Sequence, residues 1–189
     1  MRLGTIAAIA SEGRPLRLWY HDEARFGLHM PRYRRLTACG VKPRQPFDPL
    51  YEYSWLYGAV EPKSGESFFL QMSHLDAECF EVFLAAFSAS APDALNVLVI
   101  DNAPAHVKRS LVVPQNIVLV WLPPYSPELN PAERLWLALR QKIDVFDPTI
   151  RSSIDALEEH IAAILRTMTP AEIASLTGYD YILQAFHGL

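Results

Sequence analysis

The sequence predicts an α/β fold in which helices flank a mixed five-stranded sheet. Three observations predict it: an aromatic-rich hairpin early in the chain, two continuous apolar runs rich in β-branched residues, and amphipathic helices between and after these runs. Hairpins supply antiparallel strands, whereas continuous apolar runs are typical of parallel strands buried on both faces. The combination favours one mixed sheet with helices packed against it.

The first three strands are predicted within the first 72 residues. Residues 16–20 alternate and are rich in large side chains, which predicts a strand that ends at His21 and Asp22. Residues 53–60 and 67–72 are aromatic-rich runs, and the segment between them contains a proline and a glycine. We therefore expect these two runs to pair as a hairpin.

The middle of the chain predicts one helix and two buried strands. Apolar side chains recur at helical spacing from Leu75 to Phe87, and Asp76 is placed to cap the start of that helix. Residues 95–100 and 117–122 are almost wholly apolar. We expect them to form two central parallel strands with a short helix between them.

A further helix is predicted to begin at the segment NPAE, residues 130–133. Asn130 is a favoured N-cap, proline is favoured at the first helical position, and Glu133 can complete a capping box. We expect Trp136 in the buried stripe of this helix. Two more helices, near residues 153–168 and 170–177, complete the chain.

Length and composition fit one compact domain. The chain has 189 residues, 50% of them hydrophobic, which is enough to bury a core. We divide it into a lead-in (residues 1–15), a main domain (16–146) and a helical extension packed on the same domain (147–189). The two cysteines are too few for a disulfide framework. No apolar run reaches the roughly 18 residues of a membrane span, so we expect a cytoplasmic protein with no membrane partner.

Charge is distributed unevenly along the chain. The formal net charge of −4 argues against a protein that grips nucleic acid over its whole surface. The segment from residue 25 to residue 44 is nevertheless strongly basic and contains no acid. Its basic residues are Arg25, Arg32, Arg34, Arg35, Lys42 and Arg44. Two interpretations stay open for this segment: a solvated loop, or one DNA-facing side of the molecule.

Three carboxylates are the candidate catalytic residues. Asp22 and Asp101 each follow an apolar strand, and sites in open α/β sheets lie at the carboxyl ends of strands. Glu133, at the start of the helix after the next strand, can project to the same point. Three acids in one crevice repel one another unless a divalent cation is bound. Oxygen ligands favour Mg²⁺ or Mn²⁺, and a pair of such ions suits in-line attack on phosphorus.

Each of these acids also has a purely structural interpretation. Glu133 can be the capping-box glutamate without any catalytic role. Asp22 and Asp101 can be turn formers at strand ends, which is the commoner role of an isolated aspartate there. Spacing alone leaves both interpretations open.

The local sequence around the acids resembles the DDE transposases of the mariner superfamily. Three blocks carry the resemblance: WYHDEARF (residues 19–26), VIDNAPAH (99–106) and LPPYSPELNPAERLW (122–136). They occur in the order of that family, the third block is highly specific, and the nearest branch resembles the bacterial insertion-sequence 630 family. The resemblance runs from about residue 16 to residue 143.

The resemblance implies a ribonuclease-H-like catalytic domain over residues 16–146. It implies that Asp22, Asp101 and Glu133 are the catalytic residues and hold Mg²⁺ or Mn²⁺, as two ions. Asn102 and His106 match the family pattern as accessory residues, although His106 can equally be a structural histidine.

The implied reaction is cut-and-paste transposition, in which metal-dependent cleavage at the inverted-repeat ends of an element is followed by strand transfer. The implied partners are double-stranded DNA, both transposon ends and target, and a second copy of the chain in a homodimer on DNA. The implied location is the bacterial cytoplasm, in association with the nucleoid.

Two departures from the family pattern stand out. The lead-in is too short for the helix-turn-helix domain that family members commonly carry, so we expect a separate helix-turn-helix protein or reading frame to recognise the ends. The interval between Asp101 and Glu133 is also slightly shorter than usual. The alternatives are an inactive or domesticated remnant that binds DNA or protein, and a ribonuclease-H-like nuclease unconnected with transposition.

Overall fold

The computed structural model describes residues 13–28, 38–41, 51–106, 111–124, 126–144 and 147–185. The strands in this part of the chain are β1 (Leu16–Gly27), β2 (Tyr53–Val60), β3 (Ser67–Met72), β4 (Leu95–Ile100) and β5 (Ile117–Trp121). The α-helices are α1 (Ala77–Ser90), α2 (Ala132–Lys142), α3 (Ile154–Thr167), α4 (Pro170–Thr177) and α5 (Asp180–Ala185). Two one-turn 3-10 helices, Pro104–His106 and Pro127–Leu129, precede β5 and α2.

The strands form one mixed sheet in the order β3-β2-β1-β4-β5. The pairs β3–β2 and β2–β1 are antiparallel, whereas β1–β4 and β4–β5 are parallel. The predicted mixed five-stranded sheet flanked by helices is therefore confirmed. Its hairpin lies on one side of β1, and the two apolar runs lie on the other side.

Strand β1 is longer than the sequence predicted. It pairs with β4 only from Leu16 to Tyr20, but it pairs with β2 from Tyr20 to Gly27. Asp22 therefore lies within β1, and the prediction that it follows the strand was wrong. The reason is that buried and more exposed side chains keep alternating beyond Asp22, so β2 can continue the pairing. Asp22 lies just past the point at which β4 leaves β1.

The two faces of the sheet carry separate apolar clusters. On one face, Trp19 and Leu98 pack with Phe83 and Phe87 of α1. On the other face, side chains of the same strands, including Leu18 and Val97, pack with buried residues of the four later helices: Leu135, Leu157, Ile161, Ile173 and Ile182. Because successive side chains of a strand point to opposite faces, Asp22 lies on the α2 face, whereas His21 and Glu23 lie on the α1 face.

The helix boundaries agree with the capping signals in most places. Asp76 caps α1 by accepting a hydrogen bond of 2.8 Å from the Cys79 backbone N–H, as predicted. Ser153 caps α3, and Thr169 forms a capping box with Glu172 at the start of α4. Helix α5 was not predicted. The division into residues 1–15, 16–146 and 147–189 stays a prediction.

Among the described residues, no helix has both the length and the apolarity to cross a bilayer.

Candidate functional site

The three predicted acids line one cleft at the carboxyl ends of the parallel strands. The cleft has a volume of about 430 Å³. The residues that line it are Asp22, Asp101, Asn102, Ala103, Leu122, Pro123, Pro124, Ser126, Asn130 and Glu133. The structure therefore brings together Asp22 from β1, Asp101 from the end of β4, and Glu133 from α2.

Asp22 is held by a tryptophan from α2. The indole Nε1–H of Trp136 donates a hydrogen bond of 2.8 Å to Asp22 Oδ2. Trp136 is buried, as predicted, but its contact with the first acid was not foreseen. Gly58 lies directly opposite Asp22 in the register of β1 and β2, and a Cβ at Gly58 would lie 2.5 Å from Trp136 Cη2. The glycine is required here because the indole ring passes over it on the way to Asp22.

The environment of Asp22 opposes ionisation. Burial, reinforced by the neighbouring negative charge of Glu23, raises the pKa of Asp22 to about 6, although the Trp136 hydrogen bond opposes the rise. A buried carboxyl with a raised pKa lacks a full set of compensating positive groups. A cation in the cleft would supply the missing positive charge.

Asp101 differs from Asp22 because hydrogen bonds favour its charged form. Its Oδ1 accepts hydrogen bonds from the Ala103 backbone N–H at 2.9 Å and from His106 Nδ1 at 2.8 Å. The hydrogen bond from His106, aided by that from Ala103, lowers the pKa of Asp101 below its ordinary value despite partial burial. The turn-forming role considered for Asp101 is thus present, and it coexists with a side chain that lines the cleft.

Glu133 is an exposed residue at the second position of α2. The helix has Pro131 as its N-cap residue and no side-chain capping hydrogen bond, so the capping-box interpretation of Glu133 was wrong. Asn130 directly precedes Pro131, and its Oδ1 accepts a hydrogen bond of 3.2 Å from the Ala132 backbone N–H. Its Nδ2 donates to the His21 backbone oxygen at 2.8 Å, which ties the start of α2 to β1 beside Asp22.

A second cluster of polar side chains lies behind Asp101. His106, one of the predicted accessory residues, is buried, and its Nε2 donates to Glu23 Oε1 at 2.8 Å. His21 Nε2 lies 3.1 Å from the same oxygen, and His21 Nδ1 donates to the Gly58 backbone oxygen at 2.8 Å. His21 and Glu23 were not among the predicted site residues. The available signal was a histidine and an acid at alternate positions of one strand, which places them on the same face.

The charges in this cluster stabilise one another. Burial by itself would raise the pKa of Glu23, but the two histidines outweigh it and hold that pKa well below its ordinary value. Burial by itself would lower the pKa of His106, but hydrogen bonds to Asp101 and Glu23 outweigh it and raise that pKa to about 10. His106 is therefore a cation between two carboxylates.

The other predicted accessory residue, Asn102, and the predicted DNA-contacting residues have separate positions. Asn102 lines the cleft, and its Nδ2 donates to the Leu122 backbone oxygen at 2.7 Å, which joins the end of β4 to the segment after β5. Arg25 is exposed on β1, with its guanidinium carbon 5.3 Å from the centre of the Tyr53 ring. The remaining predicted DNA-contacting residues lie outside the described residues: Arg32, Arg34, Arg35, Lys42 and Arg44.

Comparison with known families and relatives gives two sequence matches. The family model described as DDE superfamily endonuclease matches residues 17–153. An uncharacterised protein of Sinorhizobium fredii, y4pE/y4sA, is 40% identical over 89 residues, which are 47% of this chain and 66% of that protein.

Solved structures similar to this chain include complexes of Mos1. The Mos1 strand transfer complex matches with a TM-score of 0.66 and 13% identity over 97% of this chain and 57% of the Mos1 chain. The Mos1 mariner paired-end complex with Mn matches with a TM-score of 0.62 and 16% identity over 90% of this chain and 54% of the other. These matches confirm the ribonuclease-H-like fold. The chain spans little more than half of the Mos1 chain.

Proposed function

Because the chain belongs to the DDE superfamily of endonucleases, we propose that it is the catalytic domain of a DNA transposase that cuts transposon ends and joins them to target DNA. The observation that carries the proposal is the cleft into which Asp22, Asp101 and Glu133 converge from three separate sequence blocks. All three blocks lie within the segment that the family model matches.

The donor set of the cleft fits a hard divalent cation. The three candidate ligands are carboxylates, and the described residues that line the cleft include no cysteine or histidine that would favour zinc. Burial and the charge of Glu23 raise the pKa of Asp22, and a cation bound in the cleft would offset both effects. We propose that Asp22, Asp101 and Glu133 hold Mg²⁺ or Mn²⁺, as two ions. Such ions activate the attacking oxygen and neutralise charge on the leaving oxygen.

The protein's own groups hold the carboxylates in place for this chemistry. Trp136 fixes Asp22, and His106 together with the Ala103 N–H fixes Asp101. Asn130 anchors the start of α2, which carries Glu133, to β1. Preorganised ligands reduce the reorganisation that accompanies cation binding and reaction.

The uneven charge distribution of the chain supports DNA as its partner. The basic segment from residue 25 to residue 44 begins within β1, three residues after Asp22. We propose that the basic residues of this segment contact DNA phosphates. The relatives with bound transposon ends include a Mos1 paired-end complex. A homodimer on DNA, association with the bacterial nucleoid and a helix-turn-helix partner are further parts of the proposal.

The decisive test is DNA nicking with Mg²⁺ or Mn²⁺. Asp101→Asn is expected to abolish nicking of DNA that carries the inverted repeats while the protein stays folded. Asp93→Asn is the matched control, because it makes the same chemical change at an exposed aspartate in the turn before β4, which does not line the cleft. Undiminished nicking by folded Asp101→Asn protein would refute the proposal.

Two further outcomes separate the alternatives. Calorimetric titration with Mn²⁺ should show binding that Asp22→Ala removes; a folded wild-type protein that binds no Mn²⁺ would instead indicate an inactive remnant. Cleavage that is equally efficient on DNA without inverted repeats would indicate a nuclease unconnected with transposition.

A further inference from the structure

The buried ring of His106 connects the catalytic cleft to a second carboxylate. Its Nδ1 lies 2.8 Å from Asp101 Oδ1, and its Nε2 lies 2.8 Å from Glu23 Oε1. Both acceptors are carboxylate oxygens, so both ring nitrogens donate. Glu23 belongs to β1, whereas His106 ends the 3-10 helix after β4, and the contact crosses between these elements.

A second histidine lies against the same oxygen of Glu23. His21 lies 3.1 Å from Glu23 Oε1 through Nε2, and its Nδ1 donates to the backbone oxygen of Gly58 in β2. A continuous line of polar contacts thus runs from the β2 backbone through His21, Glu23 and His106 to Asp101. Aromatic rings of α1 surround it, with Phe83 centred 4.5 Å from His21 and Phe80 centred 4.4 Å from His106. This apolar cage restricts the rotation of both imidazole rings.

The consequence falls on Asp101. Its side chain is 51% exposed, and an exposed aspartate beyond the end of a strand ordinarily samples several rotamers. Here Oδ1 accepts two hydrogen bonds, from His106 and from the Ala103 N–H. Turning the carboxylate would break both, so Oδ1 is held and Oδ2 is left for a cation.

We propose that His106, clamped by Glu23, is a positioning residue that orients Asp101 for cation binding. The inference rests on the proposed function, since it assumes that Asp101 is a metal ligand. It differs from a purely structural role in which His106 serves only to supply the buried Glu23 with a hydrogen-bond donor. The two roles use different nitrogens of the ring, and this makes them separable.

Two substitutions of His106 keep one nitrogen each. The amide nitrogen of asparagine falls near the position of histidine Nδ1, and that of glutamine falls near the position of Nε2. His106→Asn therefore keeps the donor to Asp101 and loses the donor to Glu23, whereas His106→Gln does the reverse. The measurements are the dissociation constant for Mn²⁺, from the electron paramagnetic resonance signal of free Mn²⁺, and the melting temperature without metal.

A positioning role predicts that the variant with the weaker Mn²⁺ affinity is the one with the higher melting temperature. His106→Gln should weaken Mn²⁺ binding by about 10- to 100-fold, the usual effect of losing a group that orients a ligand, and His106→Asn should weaken it by less. The melting temperature should fall further in His106→Asn, because that variant leaves the buried Glu23 without a donor from residue 106.

Several results would overturn the inference. It fails if both variants bind Mn²⁺ as the wild type does, or if affinity follows melting temperature so that His106→Gln binds better than His106→Asn. It also fails if the purified protein holds one equivalent of a transition metal that both variants lose, because the ring nitrogens would then be ligands. Absence of Mn²⁺ binding by the wild type would refute the proposed function as well. If the wild type binds Mn²⁺ but does not nick DNA, and the two variants show the predicted order of Mn²⁺ affinities, only the proposed function is refuted.

Discussion

Replacing Asp22 with asparagine is expected to stabilise the folded protein at neutral pH while it abolishes DNA cleavage. Burial and the charge of Glu23 raise the pKa of Asp22 from an ordinary value of 3.8 to about 6. One pKa unit corresponds to about 1.4 kcal/mol, so the ionised carboxylate costs the folded state about 3 kcal/mol at pH 7.5. Asparagine has the same shape, keeps an oxygen for Trp136 and carries no charge. We expect the free energy of unfolding to rise by about 1 to 3 kcal/mol.

The pH dependence of this gain has a definite sign. The pKa of Asp22 is raised in the folded state, so the protonated carboxyl stabilises the fold fully below about pH 4. That stabilisation is lost as the pH rises through about 6. The wild type and Asp22→Asn should therefore differ at pH 7.5 and converge near pH 4.

The assay is urea denaturation with EDTA present, followed by circular dichroism at pH 7.5 and pH 4. Asp101→Asn is the matched control, because the hydrogen bond from His106 and that from Ala103 lower the pKa of Asp101 and favour its charged form. Its neutralisation should not increase stability at pH 7.5. Adding Mg²⁺ should stabilise the wild type more than either variant. A lower stability of Asp22→Asn than of the wild type at pH 7.5 in EDTA would refute the reasoning.

Three other outcomes are expected. Trp136→Phe keeps most of the buried ring and removes the N–H donor to Asp22. The nicking rate should therefore fall by about tenfold or more, and the acid limb of its pH profile should move to higher pH. An unchanged pH profile would contradict this prediction. Gly58→Ala places a Cβ 2.5 Å from Trp136 Cη2 and should lower the free energy of unfolding by about 1 to 3 kcal/mol in urea denaturation. Neutralising Arg34 and Arg35 together should reduce the slope of log K for DNA against log salt by about 1.8 if both contact phosphates; an unchanged slope would support the solvated-loop interpretation.

Local patterns predicted most of the elements, and the misplaced end of β1 has a physical reason. β2, β3 and β4 have the predicted bounds, because residue periodicity and turn residues are properties of neighbouring positions. The end of β1 was placed too early, since its second half is held by pairing with β2, some 30 residues further along the chain. α2 begins one residue later than predicted, with Pro131 as its N-cap residue, and the Asn130 amide both accepts from the Ala132 N–H and donates to β1, 109 positions away in the chain.

The sequence by itself determined the fold class and singled out the three acids as candidates, because each acid lies in a block of consecutive residues whose types can be compared directly. The catalytic and metal-binding roles of Asp22, Asp101 and Glu133 remain predictions, although all three line one cleft. Only the tertiary structure decided which groups hold them. Trp136 and Asp22 are 114 positions apart, and His106 and Glu23 are 83 apart. A hydrogen bond requires approach to about 3 Å, and at such separations only the strand register and the packing of helices on the sheet bring two residues that close.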